Sequence, residues 1–329
     1  MSKQELTTLR ADLRSVPHRQ ALHQYLRGEG TSNPSLLQNA VFVSIRRCWS
    51  PHPPYNLMEI GLAIYNGKQQ QQQPAGPHGE NVLKDVRFLH LRFREQASGQ
   101  LPNGADPTKF HFGTTAFVDS KEARSLLSQI WYQPMDESNP AAGFRPVICL
   151  MAANDKPTTP TDNVNFNPAA IGTTVAVLDP EIVAVQSAVA SFPCLPVDKI
   201  LEQHFSITAN HPDNTGNQAA YLMIMVVLAA LRHELYHDPQ LNIRDIPGQY
   251  GQSSSKPAQD VVNYLMDHES PEPPVGTIVY CPRCASSDHL VMDCPETFVL
   301  CSKCRYAYDQ TWRIPNAITH KDEACSYDY

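Results

Sequence analysis

Two Cys-x-x-Cys pairs near the C-terminal end constrain the fold of this 329-residue chain more than any other feature. Cys281 and Cys284 form the first pair, Cys301 and Cys304 form the second, and sixteen residues separate the two pairs. Paired turns at this spacing can bring four thiolates around one tetrahedral Zn²⁺ ion. Without such an ion, a segment of about forty residues would have too little core to fold. We therefore predict one structural zinc ribbon, in which all four ligand positions are filled and none is open to substrate.

Four further residues near these pairs belong to types that bind metals. Cys294 lies between the pairs and Cys325 lies beyond them, while His289 and His320 are close in sequence. These four residues could build a second metal site. The favoured interpretation is instead that Cys294 and Cys325 are separate free thiols. The clustering of six of the nine cysteines between residues 281 and 325 indicates metal binding rather than disulfide bridges.

The N-terminal residues and the apolar runs bear on the compartment of the protein. Residues 1–16 carry polar or charged residues every two or three positions, unlike a secretory signal. The longest apolar run, residues 219–231, is too short to cross a bilayer and suits a helix buried in a core. The formal net charge of -7 gives no sign of a basic surface for nucleic acid. These features predict an intracellular protein of the cytoplasm or nucleus, without membrane contact.

The order of apolar patterns predicts the fold class. Three β-type runs, at residues 40–45, 57–65 and 86–94, come first, and the third alternates as expected for a meander strand. Apolar residues then recur at helical spacing over residues 119–131, where Asp119 is the N-cap residue. A strand follows at residues 146–151. Strands followed by alternating helix and strand predict an α/β domain with a mixed sheet flanked by helices.

Composition divides the chain into five predicted parts. Pro, Gly and Ser become frequent after residue 240, which indicates a linker, although residues 261–265 could form one short helix that docks back. The predicted parts are an N-terminal helical extension (1–37), the α/β domain (38–240), the linker (241–275), the zinc ribbon (276–315) and a tail (316–329).

Four short blocks in the α/β domain resemble the DEDD 3′–5′ exonuclease superfamily, which has a ribonuclease H-like fold. Their order matches that superfamily, and especially a degenerate fungal branch associated with mRNA export and RNA silencing. The blocks are VFVSIRRCW at residues 41–49, MEIGLAIY at 58–65, FHFGT at 110–114 and GNQAAY at 216–221. The resemblance implies a ribonuclease H-like sheet and a groove in which the family binds nucleic acid and two metal ions.

The carboxylates that bind the metal ions in the family are replaced in this chain. By the resemblance, Arg46 stands in place of the first Asp, Cys48 in place of the Glu, and Gln218 in place of the last Asp. In the family, the general base lies five residues before the last Asp. Asp213 occupies that general-base position here. Two divalent ions need several carboxylate ligands. This pattern therefore predicts that the domain has no catalytic residues and is a pseudonuclease.

Two further sets of residues follow from the same resemblance. By the resemblance, Asp155 or Asp162 is the middle acid of the family. Both alternatives stay open because the loop that carries them is too long to align. Arg46 and Arg47 end the first strand, where guanidinium groups could bind a phosphate backbone without cutting it. A surface salt bridge would explain the two arginines equally well.

The sequence His233-Glu-Leu-Tyr-His237 satisfies the HExxH pattern of zinc proteases. That pattern places two histidines one helical turn apart, with Glu234 as general base. It is short enough to arise by chance in a chain with 13 histidines.

From the exonuclease resemblance and its replaced carboxylates, we predict a catalytically inactive exonuclease-like protein that binds nucleic acid or scaffolds proteins in RNA metabolism or silencing. An active metal-dependent exonuclease and a zinc metalloprotease are the alternatives.

Overall fold

The computed structural model describes residues 3–28, 30–53, 55–67, 75–152, 163–236 and 257–327. A six-stranded sheet with the order β4-β3-β2-β1-β5-β6 forms the centre of this part of the chain. The strands are β1 (Val41–Trp49), β2 (Leu57–Tyr65), β3 (Val86–Phe93), β4 (Thr115–Val118), β5 (Val147–Leu150) and β6 (Thr174–Leu178).

The first three strands form the predicted antiparallel meander. β1 pairs antiparallel with β2, and β2 pairs antiparallel with β3. The remaining three strands join in parallel, β4 to β3, β5 to β1 and β6 to β5. Parallel neighbours need crossover connections, which explains why helices begin to alternate with strands after β3. The predicted mixed α/β sheet is therefore confirmed.

Helices cover both faces of this sheet. After its polar first turn, α8 is apolar on all sides and packs on β1, β2 and β3, while α5 covers the opposite face with Leu126, Leu127 and Trp131. The helices are α1 (Lys3–Arg14), α2 (His18–Arg27), α3 (Pro34–Gln38), α4 (Glu80–Leu83), α5 (Ser120–Trp131), α6 (Pro180–Gln186), α7 (Val197–Phe205), α8 (Thr215–Ala230), α9 (Arg232–Leu235), α10 (Ala258–Asp267) and α11 (Ser302–Arg305).

The N-terminal helices are part of the main core. Leu9 and Leu13 of α1 and Leu22 and Tyr25 of α2 are almost fully buried in the same cluster as α8. α1 contacts β6, and α2 contacts α6 and α8. The segment predicted as an extension thus completes the layer of helices on one face of the sheet.

The chain after residue 257 docks on the domain at several points. α10 buries Val261, Val262 and Leu265 in the main core, which confirms a docked helix in the predicted linker. Thr277 pairs with Phe117 of the edge strand β4 through two backbone hydrogen bonds of 2.7 and 2.9 Å. Residues 278–280 and 298–300, which precede the two Cys-x-x-Cys pairs, form no paired strand within the described ranges.

Among the helices in the described ranges, none combines the length and the apolar character that crossing a membrane requires.

Candidate functional site

A groove lies where the N-terminal end of α8 crosses the centre of the sheet. Gly61 of β2 permits this crossing, because a Cβ atom at that position would lie 2.1 Å from the carbonyl oxygen of Thr215. Arg46 of β1 is the cross-strand partner of Gly61 and lies beside the same helix. The glycine therefore lets Gln218, on the first turn of α8, approach Arg46.

Arg46 and Gln218 are in direct contact in this groove. Nε and Nη2 of Arg46 lie 3.4 and 3.5 Å from Oε1 of Gln218. The Gln218 amide in turn donates to the carbonyl oxygen of Asp213, at 3.3 Å. The structure thus brings together three of the four positions that the resemblance assigned to catalytic groups.

The cavity around these residues has a volume of about 560 Å³. Its walls come from β1, α6, α7 and α8, with Arg46 as the cation and Glu181, Asp198 and Asp213 as the acids. Tyr221 lies behind these walls and is 1% exposed. A cavity of this size that combines apolar and charged groups is suited to binding a ligand.

Cys48, the fourth of these positions, lies deeper, beside Glu59 of β2. The two residues are cross-strand partners. Burial first, and then the Glu59 carboxylate, raise the pKa of the Cys48 thiol to about 12. The thiol is therefore protonated and neutral at physiological pH, unlike the carboxylate that the resemblance assigns to this position.

Glu59 is a fully buried carboxylate that sequence reasoning missed. One oxygen accepts from Nη1 of Arg92 at 2.7 Å, and the other accepts from the Thr215 hydroxyl at 2.7 Å and lies 3.4 Å from Nε2 of His90. Burial alone would raise the pKa of Glu59, but His90, Arg92 and the Thr215 hydroxyl outweigh burial and lower the pKa to about 2. The carboxylate is fixed in the core, next to the positively polarised N-terminus of α8.

The remaining predicted groove residues lie elsewhere. Arg47 points to the opposite face of β1 from Arg46, as the alternation of a strand requires, and its Nη2 donates to the carbonyl oxygen of Phe166 at 2.9 Å. Asp155 and Asp162 lie outside the described residues. The structure therefore places Arg46 in the groove without Arg47.

The HExxH segment departs from the geometry of a zinc protease. α9 ends at Leu235, and Tyr236 has φ −129° and ψ 39°, which are not helical values. Glu234 contacts His23 and Arg27 of α2 through its two carboxylate oxygens. His237 lies outside the described residues. Glu234, the residue that would act as general base, is thus held in a contact between helices.

The C-terminal cysteines form two groups, and each group contains one Cys-x-x-Cys pair. Cys281 and Cys284 lie with His289 and Cys294, and Cys301 and Cys304 lie with His320 and Cys325. Within each group the four ligand atoms lie within 4.8 Å of one another. Either group could bind a metal ion. This arrangement differs from the expected single set of four thiolates.

The two groups share a spacing that marks their third and fourth ligands in the sequence. The first group reads C-x2-C-x4-H-x4-C and the second reads C-x2-C-x15-H-x4-C. The repeated H-x4-C step adds one imidazole and one thiolate to each pair. Both clusters are compatible with the zinc-binding C-terminal module that the sequence predicts.

Comparison with known families identifies the main domain. The sequence profile of the DEDDh_C family, described as DNA polymerase III subunit epsilon-like, C-terminal domain, matches residues 41–229. No curated protein sequence matches the chain significantly. The matched region runs from the start of β1 almost to the end of α8, which includes the sheet and the groove. More than half of the chain is covered, so this protein belongs to the DEDDh_C family of the DEDD exonuclease superfamily.

Proposed function

We propose that the exonuclease-like domain does not hydrolyse nucleic acid and acts as a binding or scaffolding factor in RNA metabolism or RNA silencing. One observation carries this proposal: Arg46 and Gln218 contact each other at the centre of the groove. By the resemblance, these are the positions of two acids that would bind metal ions.

The chemistry of these side chains opposes a two-metal mechanism. Such a mechanism uses two divalent cations to stabilise the attacking and the leaving oxygen of a phosphodiester. The ions need hard, negatively charged oxygen ligands, whereas Arg46 contributes a positive charge and Gln218 a neutral amide. Asp213 remains as an exposed carboxylate on the groove wall.

Arg46 is the group in this groove that we propose contacts a phosphate without cutting it, beside the carboxylates of Glu181, Asp198 and Asp213. The Arg46 guanidinium lines the cavity and has donors of the geometry that phosphate oxygens accept. RNA is the ligand we propose, and its choice over DNA rests on the resemblance to the fungal branch.

Charge reversal at Arg46 tests the binding function. We expect Arg46→Glu to weaken the binding of labelled single-stranded RNA by about tenfold, because a phosphate contact worth about 1.4 kcal/mol is replaced by repulsion. The measurement is fluorescence anisotropy at fixed salt concentration, since phosphate contacts depend on salt.

A matched control for this variant is Arg124→Glu, which makes the same charge change at an exposed position of α5. Equal weakening by both variants would show that only the overall charge matters and would contradict a groove site. If the wild-type protein binds no RNA or DNA, the binding proposal fails and protein scaffolding is the function that remains.

Zinc is the ion we propose for the C-terminal groups. Thiolate and imidazole ligands are those that Zn²⁺ takes in structural sites, where all four positions come from the protein. All nine cysteines lie in the described part of the chain, and none of them forms a disulfide bond. Reduced thiols fit the predicted intracellular location, in the cytoplasm or nucleus.

A further inference from the structure

We propose that the C-terminal segment binds two zinc ions, each through three thiolates and one imidazole. Site 1 consists of Cys281, Cys284, His289 and Cys294. Site 2 consists of Cys301, Cys304, His320 and Cys325. This proposal rests on the zinc binding proposed above and adds the number of ions and the ligands of each ion. It does not depend on what the groove binds.

The distances between ligand atoms fit a tetrahedral zinc ion in both sites. Zn–S bonds of about 2.3 Å and a Zn–N bond of about 2.0–2.1 Å require S···S edges of about 3.8 Å and S···N edges of about 3.6 Å. In site 1, Sγ of Cys284 lies 3.8 Å from Sγ of Cys294 and 3.4 Å from Nε2 of His289. In site 2, Sγ of Cys304 lies 3.8 Å from Sγ of Cys325 and 3.7 Å from Nε2 of His320.

Disulfide bonds do not explain these distances. A disulfide would require a separation of about 2.05 Å between the two sulfur atoms, much shorter than the 3.8 Å found in each site. A shared metal ion accounts for sulfur atoms that are close together without being bonded.

Both imidazoles are oriented through their second nitrogen. Nδ1 of His289 contacts Oδ1 of Asp288, and Nδ1 of His320 lies 2.9 Å from Oγ1 of Thr319. The Thr319 hydroxyl donates to the carbonyl oxygen of Asn316, so its oxygen is left to accept from His320. Zinc-binding histidines are typically held in this way, with the other nitrogen facing the ion. In both sites Nε2 is the nitrogen that faces the thiols.

The segment has little apolar core apart from the ligands. Its hydrophobic cluster consists of Ala317, Tyr327 and three of the site 2 cysteines. By contrast, Met292, Phe298, Tyr308 and Ile318 are each at least 70% exposed. A segment that buries so little apolar surface needs metal ions to fold.

The two sites differ in their access to solvent. All four ligands of site 2 are buried, whereas only Cys281 is buried in site 1. Site 2 is also tied to the main domain, because both neighbours of Cys325 bond to Ser98: the Ser98 hydroxyl donates to the Ala324 carbonyl oxygen and accepts from the Ser326 amide. Zinc at site 1 should therefore exchange faster, and zinc at site 2 should hold the segment on the domain.

The zinc content of the purified full-length protein tests this proposal. We expect two zinc ions per chain by elemental analysis, and one in each of the variants Cys294→Ser and Cys325→Ser. Cys194→Ser, which changes a cysteine on the wall of the groove, is the control and should retain two. One ion per chain, retained in both ligand variants, would show that the four paired cysteines form a single site. Less than one ion would also overturn the proposal.

X-ray absorption at the zinc edge of the wild-type protein gives a second result that does not depend on any variant folding. We expect an average first shell of three sulfur atoms and one nitrogen, with the scattering pattern of imidazole. A shell of four sulfur atoms would overturn the assignment. A chelator should remove one zinc ion before the other, and simultaneous loss of both would contradict the difference between the sites.

Discussion

Replacing Glu59 by Gln is expected to lower the free energy of unfolding by roughly 3–5 kcal/mol, the usual cost of removing one partner of a buried ion pair. Gln keeps the shape of the side chain but leaves the Arg92 guanidinium buried without its countercharge. The Glu59 carboxylate is fully buried and lies 2.7 Å from Nη1 of Arg92, so solvent cannot replace it. Urea denaturation at pH 7 measures the change.

The matched control for this variant is Glu137→Gln, which removes a carboxylate at an exposed position. We expect it to change the stability by less than about 0.5 kcal/mol. A similar loss in both variants would show that net charge, rather than the buried pair, determines the effect.

The pH dependence of stability gives a second measure of the same interaction. The pKa of Glu59 is lowered from 4.5 to about 2 in the folded protein, so its contribution is fully present above about pH 5. The contribution is lost as the pH falls through 4.5 towards 2, and it amounts to about 3 kcal/mol. The difference in stability between the wild type and Glu59→Gln should therefore shrink over that range. A constant difference would contradict the lowered pKa.

Replacing Arg145 by Met is expected to lower the free energy of unfolding by roughly 2–3 kcal/mol, because several partly buried acceptors lose a charged donor at once. Arg145 is 2% exposed. Its Nε donates to the Asn39 carbonyl oxygen at 2.7 Å, its Nη1 donates to Oε1 of Gln133 at 2.8 Å, and its Nη2 contacts the Asn66 carbonyl oxygen. These bonds join the start of β1, the end of β2 and the end of α5.

Thermal and urea unfolding of Arg145→Met measure this cost. Arg124→Met makes the same replacement at an exposed position of α5, and we expect it to be nearly neutral. A loss below about 1 kcal/mol for Arg145→Met would show that water or a rearranged neighbour satisfies the three carbonyl oxygens.

Elements with a strong local pattern could be predicted from the sequence. β1, β2 and β3 are long apolar strands, and α5 follows its N-cap residue Asp119, whose side chain accepts from the backbone amides of Lys121 and Glu122. β4 was missed because it has four residues, of which two are only half-buried, so its pattern is weak. β6 was missed although its sequence TVAVL is β-prone, because the long loop before it gave no boundary.

The site was only partly predictable, because its key contacts are long-range. The resemblance aligned Arg46 and Gln218 with two family acids, and the structure brings these residues together across 172 positions of sequence. Glu59 stood in an apolar strand, and no local pattern indicated that Arg92 and Thr215 would meet it. The cysteine pairs were correctly identified as candidates for metal binding, but spacing alone did not show which His and Cys would join each pair.

A cleavage assay on labelled single-stranded RNA and DNA with Mg²⁺ or Mn²⁺ tests the proposed lack of nuclease activity most directly. We expect no shortening of either strand from its 3′ end, because the resemblance places Arg46 and Gln218 where ligands for two metal ions are required. Cleavage that remains with the protein through repurification and is lost on replacing Asp155, Asp162 or Asp213 by Asn would contradict this proposal and identify the domain as an active nuclease.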